Sequence, residues 1–384
     1  MKQALEKIRV IDFTSHISGP FCTMLLADMG ADVVKIERPG CGDNMRHTPP
    51  LISGESAAFM QINRNKRSIA LDLKAEKDLE ICRQLCDNAD VVVENFRPGT
   101  LERLGLGYDR LHARNPRLIY CSISGFGQTG PYRGRGGFDL MAQAMSGLMS
   151  ICGNVDGPPM RLPIAISDMC GGMYASIGVL SALNARQTTG AGQQVDTSLF
   201  EAAMSFSVYE AASFNSTGEA PRRLGQAHRG AAPYQVFKTR DGWITIGAAT
   251  QKLWARLCDV LDADNLLHDE RFLDNPNRVV NHLELAEELT PYFVKEDTAH
   301  WEQALLEVGI PVGPVRTYDE VFINEHTVAR EMFTPMEHPA AGMQNLLGIP
   351  VKLSTTPGAM RRPAPRLGEH SDEILAELGN LSSD

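Results

Sequence analysis

The chain has 384 residues, of which 43% are apolar and 22% are charged, and its formal net charge is −10. This length suffices for two domains that each bury a core, and the composition excludes a disordered or fibrous protein. The acidic balance argues against non-specific nucleic-acid binding, and no apolar run reaches the roughly 18 residues of a membrane span. The N-terminus enters a strand with no signal-peptide segment, so we expect a cytoplasmic protein without nucleic-acid or membrane partners.

Strands and helices alternate along the first part of the chain. The run "IRVIDF" (8–13) is typical of a buried strand, and "GPFCTMLLADMG" (19–30) predicts the helix that follows it. Further strands are predicted at 31–37, 67–73, 89–96 and 118–126. This alternation predicts an α/β domain with a parallel sheet, in which ligands bind beyond the carboxyl ends of the strands. Because the first loop lacks G-x-G-x-x-G, we expect a Rossmann-like sheet that does not hold NAD.

A second domain is indicated by a change of composition near 215–235, where Gly, Pro and small polar residues predict a linker. The following "YQVFKTRDGWITIG" predicts a hairpin around Asp241-Gly242, and helical segments come after it. We therefore predict a large domain over 1–215 and a smaller α+β domain with its linkers over 216–325. The C-terminal segment 326–384 is long enough to return to the large domain.

Asp168 lies in "AISDMCGGMY", directly before the uncharged run "MYASIGVLSAL" that predicts a buried helix. Taken alone, an acid in this place favours a helix N-cap. Gly171 and Gly172 would each cost about 1 kcal/mol in a helix, which indicates another purpose, such as the close approach of a ligand. The eight cysteines have neither disulfide-framework nor zinc-site spacing, so we expect reduced thiols and no bound metal.

Basic residues cluster in the loops after the predicted strands. They are Arg38, Arg64, Lys66, Arg67, Lys74, Arg97, Arg103, Arg133 and Arg135. Such side chains bind phosphates, so the cluster predicts a polyphosphorylated ligand, and Phe96 is placed to lie against an aromatic base. His16 and His228 fall in predicted ligand loops, where a histidine is either a surface hydrogen-bonding group or a ligand contact.

Several longer motifs together resemble the class III coenzyme A transferases. They are "VIDFTSHISGPFCTMLLADMGADVVKIERPGCGD", "NRNKRSIALDLK", "VVENFRPGTLERLGLGY", "SGFGQTGPY" and "PAPRLGEHSDEIL". That group includes formyl-CoA, carnitine and dicarboxylate CoA-transferases, with α-methylacyl-CoA racemases as relatives. The resemblance spans nearly the whole chain. It implies a Rossmann-like large domain built from both termini, a smaller domain between them, and a homodimer of two interlocked ring-shaped subunits.

The resemblance also implies the site. Asp168 matches the family's covalent nucleophile, and coenzyme A or acyl-CoA is the substrate, with no tightly bound cofactor. We expect coenzyme A contacts from Ser15, Ser18, Arg38, Leu71, Lys74, Asn95, Phe96, Arg103 and Arg135, with Arg38 and Arg103 near the adenine and phosphates. We expect Ile17, Asp139, His228, Gly171 and Gly172 on the acyl side. The backbone N–H groups of the two glycines are candidate oxyanion donors.

Two departures narrow the choice of activity. The racemases carry a histidine before the aspartate in "G-H-D", whereas this chain has Phe138 in "GGFDL", so one of the two proton-transfer groups is missing. Formyl-CoA transferases carry a glycine run and a first-loop glutamine, whereas this chain has "GQAHRGAAPY" and Ile17. This pattern disfavours oxalate and formate and favours transfer from succinyl-CoA to a small dicarboxylate. A racemase or epimerase and a non-catalytic CoA-binding protein remain alternatives.

Overall fold

The computed structural model describes residues 2–381. Its strands are β1 (Arg9–Asp12), β2 (Asp32–Glu37), β3 (Leu51–Ile52), β4 (Glu55–Ser56), β5 (Lys66–Ala70), β6 (Val91–Glu94), β7 (Ile119–Ser124), β8 (Gln194–Ser198), β9 (Tyr234–Lys238), β10 (Trp243–Gly247), β11 (Val312–Pro314), β12 (Phe333–His338) and β13 (Gly342–Leu347). Six of them form one sheet in the order β5-β2-β1-β6-β7-β8, and every neighbouring pair is parallel. This sheet confirms the predicted α/β class. The predicted strands do not include β8, because it is an edge strand whose exposed positions carry Gln194 and Asp196.

The helices connect and cover these strands. They are α1 (Ser18–Asp28), α2 (Ala57–Ile62), α3 (Glu76–Asp87), α4 (Thr100–Arg103), α5 (Tyr108–Arg114), α6 (Asp139–Met145), α7 (Leu148–Ile151), α8 (Ile166–Thr189), α9 (Leu199–Met204), α10 (Val208–Thr217), α11 (Gln251–Leu261), α12 (Asp264–Leu267), α13 (Asn275–Val280), α14 (His282–Phe293), α15 (Thr298–Glu307), α16 (Tyr318–Ile323), α17 (Glu325–Ala329) and α18 (Ser371–Leu381), with a 3-10 turn at Asn44–His47. Helices on both faces of a parallel sheet bury strands that are apolar throughout.

Each face of the parallel sheet carries its own apolar core. On one face Val34 and Ile69 pack with Leu85 of α3 and Ile374 of α18. On the other face the core contains residues of α1 and α8, including Val179. The side chains of a strand alternate between the two faces, which is why β2 contributes to both cores.

Helix α8 is the longest of the described chain, with 24 residues. Among the described residues it is also the one helix long and apolar enough to cross a membrane, whereas no apolar run of that length was expected from the sequence. Half of its most apolar stretch is buried inside the fold, where Ala175 and Val179 contribute to a core of the sheet. Its burial explains the apolar composition as that of a core helix.

The chain divides into two compact units. The first contains the chain up to Leu148, Arg161–Ser207 and the chain from Glu325 onwards; the second contains Met149–Met160 and Val208–Asn324. These limits differ from the sequence-based boundaries of 1–215, 216–325 and 326–384 at 149–160, at 208–215 and at residue 325. Within the second unit, β9, β10 and β11 form an antiparallel sheet over a core that includes Trp254 and Phe293.

Candidate active site

The loop after β1 is held by charges that are buried beneath it. Asp12 ends β1 and accepts hydrogen bonds from the Thr14 N–H (2.8 Å) and the Thr23 hydroxyl (2.7 Å). Lys66 Nζ lies 3.1 Å from Asp12 Oδ2 and donates to the Pro20 carbonyl at 2.9 Å. Burial alone would raise the pKa of Asp12, but Lys35 and Lys66 hold it well below its usual range. The Asp12 carboxylate is therefore ionised, and its hydrogen bonds to Thr14 and Thr23 hold the loop at both of its ends.

A second buried pair fixes the middle of the same loop. Lys35 Nζ donates to the Thr14 carbonyl at 2.7 Å and lies 3.0 Å from Asp43 Oδ2. Asp43 Oδ1 accepts from the Ser15 hydroxyl (2.7 Å) and the His16 N–H (3.0 Å). Burial opposes the ionisation of Asp43, but Lys35 and these donors lower its pKa to about 2. Together these bonds hold His16 at a φ of +66°, a conformation that is uncommon outside glycine.

Three of the basic residues expected at the ligand edge are instead part of this buried framework. Arg64 makes two hydrogen bonds to the carboxylate of Asp28, at 3.0 and 2.7 Å. Lys66 pairs with Asp12, and Arg67 bonds both oxygens of Asp32. The expectation that Arg64, Lys66 and Arg67 bind phosphate is wrong, because each is buried against a carboxylate.

Asn95 ties the first loop to the carboxyl end of β6. Its Oδ1 accepts from the Ser15 N–H at 2.9 Å, and its Nδ2 donates to the Ser15 carbonyl (2.7 Å) and to Ser18 Oγ (3.4 Å). The next residue, Phe96, donates its N–H to Glu94 Oε2 at 2.9 Å. These contacts order two loops that the sequence could only place separately.

A cavity of about 410 Å³ lies at this edge of the sheet. The loops after β1, β2, β5 and β6 line it, as expected for a parallel sheet. Six of the expected coenzyme A contacts are among its lining residues: Ser15, Arg38, Leu71, Lys74, Asn95 and Phe96. We call this space the first cavity.

A second cavity of about 450 Å³ shares His16, Asn95 and Phe96 with the first. Five more of the expected site residues line this second cavity: Ile17, Ser18, Arg135, Asp139 and Asp168. Arg97 and Phe138 also line it. The His16 and Phe138 rings meet edge to face, with their centroids 6.3 Å apart. His16 lines both cavities. The sequence indicated only that a histidine lies in the first loop.

Asp168 is the third residue of α8, and the N-cap position belongs to Ala165. The N-cap interpretation of Asp168 is therefore wrong. The carboxylate is half-buried, and no group among residues 2–381 donates a hydrogen bond to it. Burial and, second, the negative charge of Asp139 raise the pKa of Asp168 to about 7. An unshielded carboxylate on a cavity wall is suited to nucleophilic chemistry.

Asp139 supplies the cap that Asp168 does not. It begins α6, and its Oδ1 accepts from the backbone N–H of Ser167, in the first turn of α8, at 2.8 Å. Its Oδ2 accepts from Gln143 Nε2, also at 2.8 Å. Asp139 is 9% exposed, and its negative charge acts on Asp168.

Gly171 and Gly172 have a packing role that corrects the expectation for them. Both lie inside α8, where each N–H is directed to the carbonyl four residues earlier, so neither is available to an oxyanion. A methyl group on Gly172 would lie 2.5 Å from the Ser18 carbonyl oxygen, and one on Gly171 would lie 2.9 Å from Leu199 Cδ2. The glycines let α8 approach α1 and α9, and they leave no room for a ligand.

Besides the two glycines, two more of the expected site residues line neither cavity. Arg103 is exposed at the end of α4, and its guanidinium donates to Thr100 Oγ1 at 3.3 Å. His228 belongs to the second unit, where its ring packs against Tyr209 and Tyr234 with centroid separations of 5.3 and 5.2 Å. It lines a different cavity of that unit.

Comparison with known proteins decides the family. Residues 5–371 match the model of CoA-transferase family III. The chain belongs to this family. It is 39% identical over 375 residues to the succinyl-CoA:glutarate CoA-transferase of Mus musculus, covering 97% of this chain and 86% of that protein. It is 40% identical over 379 residues to the acetyl-CoA:oxalate CoA-transferase of Acetobacter aceti, covering 98% and 96%.

The fold of this family III CoA-transferase also matches a solved structure. A CaiB/BaiF family protein from Brucella suis superimposes with a TM-score of 0.88 at 36% identity, covering 98% of this chain and 100% of that one. The prediction of a CoA-transferase made from the sequence motifs is confirmed.

Proposed function

We propose that this CoA-transferase moves coenzyme A from an acyl-CoA donor, succinyl-CoA in our expectation, to a small dicarboxylic acid, with Asp168 as the nucleophile. The observation that carries the proposal is the Asp168 carboxylate itself. It has no hydrogen-bond donor among residues 2–381, and it lines a cavity that shares Asn95 and Phe96 with the first cavity. Coenzyme A would occupy the first cavity and present its thioester to Asp168.

The reaction consists of four carbonyl substitutions. The Asp168 carboxylate attacks the thioester carbonyl of the donor, the C–S bond breaks, and coenzyme A leaves as a thiolate from an aspartyl–acyl anhydride. The thiolate then attacks the aspartyl carbonyl, which forms an aspartyl–CoA thioester and releases the donor acid. The acceptor carboxylate attacks that thioester, the C–S bond breaks, and the coenzyme A thiolate leaves from a second aspartyl–acyl anhydride. The thiolate finally attacks the acceptor's carbonyl in this anhydride, which forms the new acyl-CoA and releases the Asp168 carboxylate. No net proton or electron is needed.

Only the ionised form of Asp168 can attack. A pKa of about 7, raised by burial and by Asp139, leaves a large ionised fraction at neutral pH and keeps the carboxylate more basic than a solvated one. The half-buried position also limits the access of water, which would hydrolyse the anhydride.

A dicarboxylate acceptor is supported by the charges in the second cavity. Arg97 and Arg135 line it, and neither has a carboxylate partner among residues 2–381. The Arg135 guanidinium lies 3.8 Å from the centre of the Tyr132 ring. One carboxylate of the acceptor reacts at Asp168, and the second requires a cation such as these. The relatives are named for glutarate and for oxalate, so the length of the acid is an outcome of the experiment.

The proposal includes a cytoplasmic enzyme that works as an interlocked homodimer, as the family resemblance implies. The exposed side of α8 supports a partner subunit, because Met173, Tyr174, Ile177 and Leu180 are each between 41% and 58% exposed there. Light scattering on the purified protein tests the dimer. A monomer at micromolar concentration would contradict it.

The decisive experiment is the capture of the covalent intermediate. We expect the native enzyme, incubated with succinyl-CoA, to gain the mass of coenzyme A on the peptide containing Asp168 and to lose it with hydroxylamine. Asp168→Ala should abolish both the adduct and CoA transfer, while the matched neighbouring variant Cys170→Ala should retain them. Transfer by Asp168→Ala at the native rate would overturn the proposal. Deuterium exchange at the substrate α-carbon without CoA transfer would instead establish the racemase alternative.

The substrate class is tested by a panel of acceptors. Succinyl-CoA and acetyl-CoA are offered with oxalate, glutarate, mesaconate and matched monocarboxylates. We expect transfer to glutarate and mesaconate, less transfer to oxalate, and little to acids of the same length with one carboxylate. Equal use of the monocarboxylates would contradict a dicarboxylate site.

A further inference from the structure

The side chain of Gln143 is completely buried behind the second cavity, on α6 one turn after Asp139. Its Nε2 donates to Asp139 Oδ2 at 2.8 Å, and its Oε1 accepts from the backbone N–H of Leu162 at 2.9 Å. Nε2 also lies 3.3 Å from the carbonyl oxygen of Ile164. Both ends of the amide are thus bonded, which is what allows a glutamine to be buried.

The bonds of Gln143 and Asp139 fall on one short segment. Gln143 binds it at Leu162 and Ile164, and Asp139 Oδ1 accepts from the Ser167 N–H at 2.8 Å. The segment 161–165 is otherwise poorly anchored, with exposed residues at 161, 163 and 164. Its path into α8 is therefore defined by two side chains of α6.

We propose that Gln143 is a positioning residue for the nucleophile. It orients Asp139 and holds segment 162–167, and these two contacts set where the first turn of α8 places the Asp168 carboxylate. This inference rests on the proposed function, because it takes Asp168 to be the attacking group. Gln143 does not itself line the cavity, so its effect passes through Asp139 and the segment.

The physical reason is the strict geometry of carbonyl attack. A displacement of about 1 Å at the reacting atoms can cost on the order of 100-fold in rate. The bond from Gln143 Nε2 to Asp139 Oδ2 leaves Oδ1 to accept from the Ser167 N–H. It therefore also fixes the orientation of the negatively charged Asp139 carboxylate, which acts on Asp168. The other charged or titratable groups that line the cavity are His16, Arg97 and Arg135, and Gln143 contacts none of them.

The first test is Gln143→Met, which keeps the volume and removes every hydrogen bond of the Gln143 side chain. We expect kcat to fall by about 10- to 100-fold. The KM for succinyl-CoA should change less than about twofold, because the first cavity is untouched. Gln303→Met, an exposed glutamine on α15, is the matched control and should behave as the native enzyme. A folded Gln143→Met enzyme with native kcat would overturn the proposal.

The second test exchanges the donor and the acceptor. Gln143→Glu alone removes the donor to Asp139 and places two acids in contact. Adding Asp139→Asn restores the bond between the two side chains, whereas position 143 then has no donor for the Ile164 carbonyl. The introduced asparagine amide donates to the introduced glutamate carboxylate, which still accepts from the Leu162 N–H, and the asparagine oxygen accepts from the Ser167 N–H. We expect the kcat of the double variant to be at least about tenfold higher than the kcat of Gln143→Glu. Absence of recovery would overturn the proposal even if Gln143→Met failed to fold.

The pH profile checks where the negative charge beside Asp168 lies. The double variant moves the negative charge from position 139 to position 143, further from Asp168, so the midpoint of enzyme acylation should shift to lower pH. An unshifted midpoint would contradict the effect of the Asp139 charge through which Gln143 acts, while the recovery of kcat and the unchanged KM distinguish positioning from a role in folding alone. Failure of the proposed function would look different, because Asp168→Ala would then still transfer coenzyme A.

Discussion

Replacing Gly172 by alanine tests the close approach of α8 to α1. The added methyl group would lie 2.5 Å from the Ser18 carbonyl oxygen and 3.3 Å from the Cys22 nitrogen, whereas ordinary contact begins near 3.4 Å. Both atoms belong to the backbone of α1, so the helices must separate by almost 1 Å at this point. Overpacking of this kind costs about 1–3 kcal/mol, while removal of a helical glycine returns about 1 kcal/mol. We expect a net loss of up to about 2 kcal/mol in the free energy of unfolding.

Urea unfolding of the variant measures this loss. Gly379→Ala in α18 is the matched control, because among residues 2–381 a methyl group there meets no atom within 4 Å. It should stabilise the protein by up to about 1 kcal/mol. Ser18 also lines the second cavity, so Gly172→Ala should lower kcat as well. If Gly172→Ala proved as stable as Gly379→Ala, the two glycines would not be explained by helix packing.

Further predictions concern the charges around the site. Lys66→Met leaves Asp12 buried without its ion-pair partner, so the free energy of unfolding should fall by about 3–5 kcal/mol in urea titrations, and a loss below about 1 kcal/mol would contradict the buried pair. Because Asp168 attacks as a carboxylate and its pKa is raised to about 7, single-turnover acylation should increase as the pH rises from 5 to 8; a flat profile would refute this. Arg38→Ala should raise the KM for succinyl-CoA about tenfold and Arg103→Ala less than about twofold, since only Arg38 lines the first cavity; equal effects would be inconsistent with that placement.

The order of strands and helices in the first unit could be predicted from the sequence because buried parallel strands are continuous apolar runs. β1, β2, β5, β6 and β7 all fall within or close to their predicted ranges, and the hairpin of the second unit lies at Asp241-Gly242 as predicted. Edge strand β8 escaped prediction, since a half-exposed strand lacks that pattern. The family could also be predicted from the sequence, because each of its motifs is a continuous stretch of the chain.

The sequence by itself determined the α/β class, the family and the position of the acid at Asp168. Only the tertiary structure decided what the neighbouring residues do. Lys66 is 54 residues from Asp12 in the chain, and Ser167 is 28 residues from Asp139, yet each pair is in direct contact. No local pattern reveals such partners, because burial and pairing depend on which segments the fold brings together. For the same reason the cap of α8, the purpose of its glycines and the contacts of Gln143 became visible only in three dimensions.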